Sequence, residues 1–150
     1  MYANHAFIVG ESDDDDGLQI FDLSRLLTAT TEGVTFAPDA VYHGFSEAHN
    51  IAINEDTGFA YLMGSDICKR KLAILDIRTP TLPLFKGCYG NDGYIHDAHC
   101  VVYKGPDTRY SNREICFLAA LDEVVVMDVT DKSSPVRLSS GSYDDHVYST

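Results

Sequence analysis

The sequence predicts an all-β chain assembled from repeated four-stranded antiparallel sheets, and three observations carry that prediction. First, one short pattern occurs three times: Gly17-Leu18-Gln19-Ile20-Phe21-Asp22-Leu23, Lys71-Leu72-Ala73-Ile74-Leu75-Asp76-Ile77 and Glu123-Val124-Val125-Val126-Met127-Asp128-Val129. Each is an aliphatic or β-branched run ending in apolar-Asp-apolar, with aspartates 54 and 52 residues apart. Second, the flanks of the pattern recur with it. Third, helical periodicity is missing apart from one possible turn around Arg25-Leu26-Leu27.

The elements follow in order within each unit. An innermost strand comes first, at Ile51-Ala52-Ile53 or Cys100-Val101-Val102-Tyr103. A second strand reads Phe7-Ile8-Val9, Phe59-Ala60-Tyr61-Leu62 or Ile115-Cys116-Phe117-Leu118. Between the first two strands of the middle unit, Asn54-Glu55-Asp56-Thr57-Gly58 is a hairpin signal, because Asn, Asp and Gly accept turn dihedrals. The Asp pattern is the third strand. A polar turn bearing Pro80 or Pro135 leads to a fourth strand, Pro83-Leu84-Phe85-Lys86-Gly87-Cys88-Tyr89 or Pro135-Val136-Arg137-Leu138. Ala40-Val41-Tyr42-His43-Gly44-Phe45 takes the same slot in the first unit after a longer connector.

Four-stranded sheets repeating at this spacing describe a partial β-propeller, whose blades bury both faces against their neighbours and so show little polar alternation. A single sandwich, the competing all-β architecture, predicts no repeated Asp pattern. The units fall at residues 1–45 (a partial blade), 46–92, 93–141 and 142–150 (the first strand of a further blade). Both ends read as cut from something longer. Closed propellers use roughly 4–8 blades, so the chain is expected either to belong with the remaining blades of a longer chain or to associate, with apolar faces exposed at its ends.

The same strings carry a family resemblance. The Leu-x-Ile-x-Asp-Leu motif with its Pro-bearing tail resembles the LVIVD repeat, and the chain resembles the choice-of-anchor B family of surface and secreted β-propeller proteins. The supporting segments are Asn4-His5-Ala6-Phe7-Ile8-Val9, residues 17–23, Ala48-His49-Asn50-Ile51-Ala52-Ile53-Asn54, Asp92-Gly93-Tyr94-Ile95-His96-Asp97-Ala98, and Gly105-Pro106-Asp107 followed by Arg113-Glu114-Ile115-Cys116-Phe117. The resemblance implies a propeller repeat, export from the cytoplasm and attachment to the cell surface through variable C-terminal anchors. It implies no particular chemistry. A leader and an anchor are not seen in this sequence, and the run Asp13-Asp14-Asp15-Asp16 is a local elaboration.

Composition narrows the partners. With 23 acidic and 11 basic residues the formal charge is −12, which disfavours nucleic acid, since phosphate neutralisation needs clustered Lys and Arg. No apolar run approaches the ~18 residues of a membrane helix. Four cysteines allow three full pairings. Cys100 and Cys116 face each other if the hairpin across residues 104–113 is centred on Thr108, and Cys68 precedes the strand whose antiparallel partner ends in Cys88, opposite the neighbourhood of Leu72. Cys100–Cys116 and Cys68–Cys88 are therefore the expected disulfides; four buried free thiols are the alternative. Without a Cys-x-x-Cys pair there is no structural zinc signature.

His49, His96, His99 and His146 all stand near the start of an innermost strand. Such strands line a propeller's channel, and His is the commonest metal ligand, so a ring of these histidines could hold a transition metal. The equivalence is open: Ala48-His49-Asn50 aligns with Ala98-His99-Cys100, while the polar residue that follows matches His49 to His96. His96 and His99, three apart on a strand, point to opposite faces unless a bulge intervenes. The plainer reading has these side chains bonding to backbone at the blade junction. Asp14 and Asp16, with Ser12 and Gly17, imitate part of a calcium loop, but Leu23 stands where a bidentate carboxylate is needed. Asp22, Asp76 and Asp128 are expected to accept hydrogen bonds from the following turn, and Asp107 and Asp131 to form ordinary turns. No nucleophile elbow or Gly-rich phosphate loop occurs.

These features point to a non-catalytic extracellular or cell-surface module that binds a protein or carbohydrate ligand. The second reading is a metal-dependent enzyme or metal-binding propeller using the channel histidines; a calcium-stabilised adhesion module is the third.

Overall fold

In the computed structural model, residues 1–11, 16–30, 33–89 and 93–142 are described. They form three separate antiparallel sheets. The first contains β1 (His5–Ile8), β2 (Leu18–Asp22) and β3 (Ala40–Tyr42), in that order. The second contains β4 (Asn50–Asn54), β5 (Phe59–Ser65), β6 (Lys71–Asp76) and β7 (Leu84–Tyr89). The third contains β8 (Ile95–Val102), β9 (Glu114–Ala120), β10 (Glu123–Asp128) and β11 (Val136–Ser142), again paired in chain order. The three Asp-pattern segments thus lie in three different sheets rather than side by side in one. The turn expected around Arg25 is a 3-10 segment, Leu23–Thr28.

One register runs through all three sheets. His5 pairs with Asp22, Phe59 with Asp76, and Ile115 with Asp128. Counting from these pairs, Phe7, Tyr61 and Phe117 are equivalent, as are Ile8, Leu62 and Leu118. On the third strand, Leu18, Leu72 and Val124 correspond, and so do Ile20, Ile74 and Val126. The defects repeat as well: the β6–β7 ladder shifts between Ile74 and Leu75, and the β10–β11 ladder shifts at the corresponding Val126 and Met127.

The side-chain alternation of a strand then decides the packing. Phe7, Leu18 and Ile20 of the first sheet meet Ala60, Leu62, Ala73, Leu75 and Ile77 of the second in one core. Tyr61, Met63, Leu72 and Ile74, from the opposite face of the second sheet, meet Cys116, Leu118, Val125, Met127 and Val129 of the third in another. The middle sheet is covered on both sides, which is why β5 and β6 show no polar alternation. Leu72, Leu75, Ile74 and Leu62 are all fully buried, and each such side chain contributes about 1.5–3 kcal/mol of transfer free energy.

The motif aspartates end these strands alike. Asp22 Oδ1 accepts from Ser24 N at 2.9 Å, Asp76 Oδ1 from Arg78 N at 3.1 Å, and Asp128 Oδ1 from Thr130 N at 3.0 Å. Each closes an Asx turn that sends the chain toward the fourth strand. Asp107 and Asp131 accept from Arg109 N and Ser133 N in the same manner. Both expected disulfides are formed: Cys68–Cys88, with Cα atoms 5.7 Å apart, and Cys100–Cys116, with Cα atoms 4.0 Å apart. Cys100 and Cys116 are direct cross-strand partners. Cys88 pairs with Ala73, one residue from the expected Leu72. Two disulfides fit an oxidising compartment. Among the described residues no helix is long and apolar enough to cross a membrane.

Candidate functional site

The two four-stranded sheets approach each other most closely along their first strands, β4 and β8, and polar clusters close the seam at both ends. At the end where β4 and β8 begin, His49 and His96 come together with ring centroids 4.5 Å apart. Tyr94 packs beside both, at 6.0 Å from His49 and 6.5 Å from His96. Glu11, which follows β1, brings Oε1 to 2.7 Å from His49 Nδ1. Segments adjoining all three sheets therefore meet in one cluster. The chain leaving β1 is held there by Ala48 N donating to Gly10 O at 3.0 Å.

Local backbone explains how these side chains fit. Asn50 pairs with Met63 and Asp97 with Ala119, and Met63 and Ala119 are equivalent in the common register. His49 thus corresponds to His96, and Asn50 to Asp97. The two polar residues behave alike, Asn50 Oδ1 accepting from Ile51 N at 2.8 Å and Asp97 Oδ1 from Ala98 N at 2.7 Å. They are joined by Asn50 Nδ2 donating to Asp97 Oδ1 at 3.0 Å. The β8–β9 ladder shifts between Ile95 and Asp97, so His96 is the extra residue of a bulge. Opposite, Gly64 has φ +62°, and a Cβ there would lie 2.8 Å from His49 Cβ and 2.9 Å from the Tyr94 hydroxyl. Only glycine leaves room there for the His49 Cβ and the Tyr94 ring.

At the other end of the seam, Glu114 is buried, with a side-chain exposure of 4%. Its Oε1 accepts from Tyr61 OH at 2.6 Å, Asn54 Nδ2 at 2.7 Å and Thr57 Oγ1 at 2.9 Å. Its Oε2 accepts from Lys132 Nζ at 2.8 Å. Lys132 also donates to Val129 O at 2.7 Å and sits 4.4 Å from the Phe59 ring centroid. Burial pushes the Tyr61 phenol well above its ordinary value, and the neighbouring Glu114 charge adds to the shift. The ion pair lies within the third sheet's own unit, and the bonds that Glu114 accepts from Tyr61, Asn54 and Thr57 tie the second sheet to the third. Beside it, Arg113 pairs with Asp128; burial raises that carboxyl, but bonds from Thr130 and Arg113 outweigh the effect and leave it below the ordinary value.

The structure brings together His49 and His96 and separates them from His99, which pairs with Phe117 and is exposed on the far face of the third sheet. His146 and Asp14 lie outside the described residues, and Asp16 is half-buried at the entrance to β2. Among the described residues no three His, Cys, Asp or Glu side chains are grouped as a metal set. Glu11, Tyr94 and Gly64 at the histidine end, and Glu114 with Lys132 at the other, are not singled out by the sequence. One sequence signal existed for Glu114: in the repeat it stands where Gly58 does, just as Tyr61 stands where Phe7 does. Chemically, the histidine end offers a carboxylate-oriented imidazole, a second imidazole and a phenol, all suited to hydrogen bonding and ring stacking. Against known proteins, no family model matches this chain and no curated protein matches it significantly.

Proposed function

We propose that the chain is a non-catalytic interaction module, made of successive blades of an extracellular or cell-surface β-propeller of the LVIVD-repeat, choice-of-anchor B kind. The observation that carries this reading is the single register shared by three sheets, with two matching face-to-face cores between them. The paired disulfides support secretion. The cluster of His49, His96, Tyr94 and Glu11 at the inner strand ends is the proposed contact surface for a protein or carbohydrate ligand, on a rigid sheet frame. The charge of −12 favours neutral or cationic partners.

The test is retention of neutral glycans, acidic glycans and purified cell-surface ectodomains on immobilised protein. Binding to a neutral glycan or basic ectodomain is expected, falling about tenfold or more in His49→Ala and Tyr94→Ala, the loss of one good contact. Retention that ignores both substitutions, or turnover of a bound glycan, contradicts the reading. The 4.5 Å approach of His49 to His96 favours one second reading, transition-metal binding. Elemental analysis after equilibration with Zn²⁺ and buffer exchange checks it: one ion per chain, lost in His49→Ala, supports it, and no retained ion removes it.

A further inference from the structure

The two disulfides differ in what they face and in what they hold. Cys100–Cys116 joins paired strands inside the core between the second and third sheets, with Cys100 7% and Cys116 0% exposed. Cys68–Cys88 is half open: Cys68 is 4% exposed and packs in the core with Phe45 and Ala48, while Cys88 is exposed on β7, the outermost strand of the second sheet. A nucleophile from solvent therefore meets the Cys88 sulfur before the Cys100–Cys116 pair. The repeat shows that the Cys68–Cys88 bridge is an addition to its sheet. In the third sheet residues 121–122 suffice to join β9 to β10, and Ser140 stands where Cys88 does. In the second sheet residues 66–70 join β5 to β6, and they contain the 3-10 turn Asp66–Cys68 that carries the bridge.

The added segment also holds the approach to the histidine cluster. The Asp66 carboxylate accepts from Ser46 N at 3.2 Å, Asp66 N donates to Glu47 O at 3.4 Å, and Arg70 pairs with Glu47. Residues 46–47 lead through Ala48 to His49, whose ring belongs to the cluster. Residues 66–70 are thus tied to β7 by the bridge, and they in turn hold the connector that positions His49.

We propose that Cys68–Cys88 is a thiol-exchange site open to an external dithiol, and that its reduction frees residues 66–70 and with them the segment 45–49. One thiolate of the dithiol attacks the Cys88 sulfur, forming a mixed disulfide there and releasing Cys68 as a thiolate that takes up a proton. Lys69, Arg70 and Lys71 follow Cys68, and positive charge favours that leaving thiolate. The second thiol of the dithiol then loses its proton and attacks the dithiol's own sulfur in the mixed disulfide. Cys88 leaves and is protonated, and the dithiol becomes a cyclic disulfide. Two electrons pass from the dithiol to the bridge. Reduction leaves His49 on a looser connector, so ligand retention should fall. This last consequence rests on the contact-surface reading above; the exchange site and the loosening do not.

The test uses the whole chain, with dithiothreitol as the dithiol. Timed alkylation with peptide mapping is expected to label Cys68 and Cys88 about tenfold or more faster than Cys100 and Cys116, as exposure dictates. Once the first pair is reduced, hydrogen exchange read by mass spectrometry should quicken at residues 45–49 and 66–70 and stay unchanged across β8 and β9. Reoxidation should reverse the change. Cys68→Ser combined with Cys88→Ser should exchange at 45–49 like the reduced wild type and ignore dithiothreitol there; if that variant does not fold, reduction and reoxidation of the wild type decide. Equal rates at the two bridges overturn the inference. So does selective reduction that leaves 45–49 unchanged, or that speeds exchange evenly through all three sheets. Loosening at 45–49 with unchanged glycan or ectodomain retention upholds the exchange site and contradicts the contact-surface reading.

Discussion

The junction between the first and second sheets and the junction between the second and third are built from equivalent positions with opposite chemistry. At the first, Phe7 faces forward and Gly58 faces back, and the Tyr2 ring fills the space beside Gly58, its hydroxyl 2.8 Å from where a Cβ would stand. At the second, Tyr61 faces forward and Glu114 faces back, joined at 2.6 Å. The forward-facing position carries a hydroxyl where the backward-facing one carries a carboxylate to accept it, and Phe7 and Gly58 lack these two groups together. A buried polar group costs free energy unless it is paired, so the two positions must change together. The polar junction also recruits Lys132, Asn54 and Thr57, and so is expected to respond to pH and single substitutions far more sharply than the apolar one.

The largest effect that can break this contrast is Glu114→Ala. It strands the Lys132 charge and three donors, and is expected to cost about 3–5 kcal/mol in urea denaturation. Next comes the cross-strand bridge beside the same junction: replacing both Cys100 and Cys116 with Ala reopens a loop with a sequence separation of 16 residues, for an expected loss of about 3 kcal/mol. Tyr61→Phe removes one donor to a charged acceptor and is expected to cost about 1.5–3 kcal/mol, while the mirror change Phe7→Tyr buries a hydroxyl at the apolar junction for about 1–3 kcal/mol. If Phe7→Tyr is neutral, the two junctions are less different than their residues imply.

Stability should also depend on pH, in opposite senses at two buried groups. The Tyr61 phenol is raised above its ordinary 10.0 in the folded chain, so the folded state keeps a proton that the unfolded state releases. Its contribution is complete below about pH 10 and is lost as pH rises beyond that. Melting temperature should fall there in the wild type and less in Tyr61→Phe. Asp76 behaves oppositely: bonds from Arg78 hold its carboxyl well below the ordinary 3.8. Its contribution is present above that value and lost as pH falls through the folded one, and Asp76→Asn should flatten the acid limb. The smallest effect is that of the exposed partner: solvent screens its ion pair, so Arg78→Ala should leave the urea midpoint close to that of the wild type.

What the sequence revealed was local or periodic. The strands, the Asx turns at Asp22, Asp76 and Asp128, and both disulfides follow from patterns a few residues long or from hairpin symmetry. The histidine equivalence was not decidable in that way, because it depends on a bulge at His96 that no residue announces. Glu114 was hidden for another reason: at the start of a strand, an acidic residue reads as solvent-facing, and its partners Asn54, Thr57, Tyr61 and Lys132 come from a hairpin, a strand and a turn that only the stacking of two sheets brings together. Glu11 reaches His49 from just beyond β1, 38 residues away in sequence.

In the stack of three sheets, the middle one is covered on both faces while its neighbours are each open on one. Native-state hydrogen exchange tests it most directly. The amides of β6 around Leu72 to Leu75 should exchange only through global unfolding, and those of β11, most of whose side chains are exposed, by local opening. Slower exchange in β11 than in β6 would contradict it.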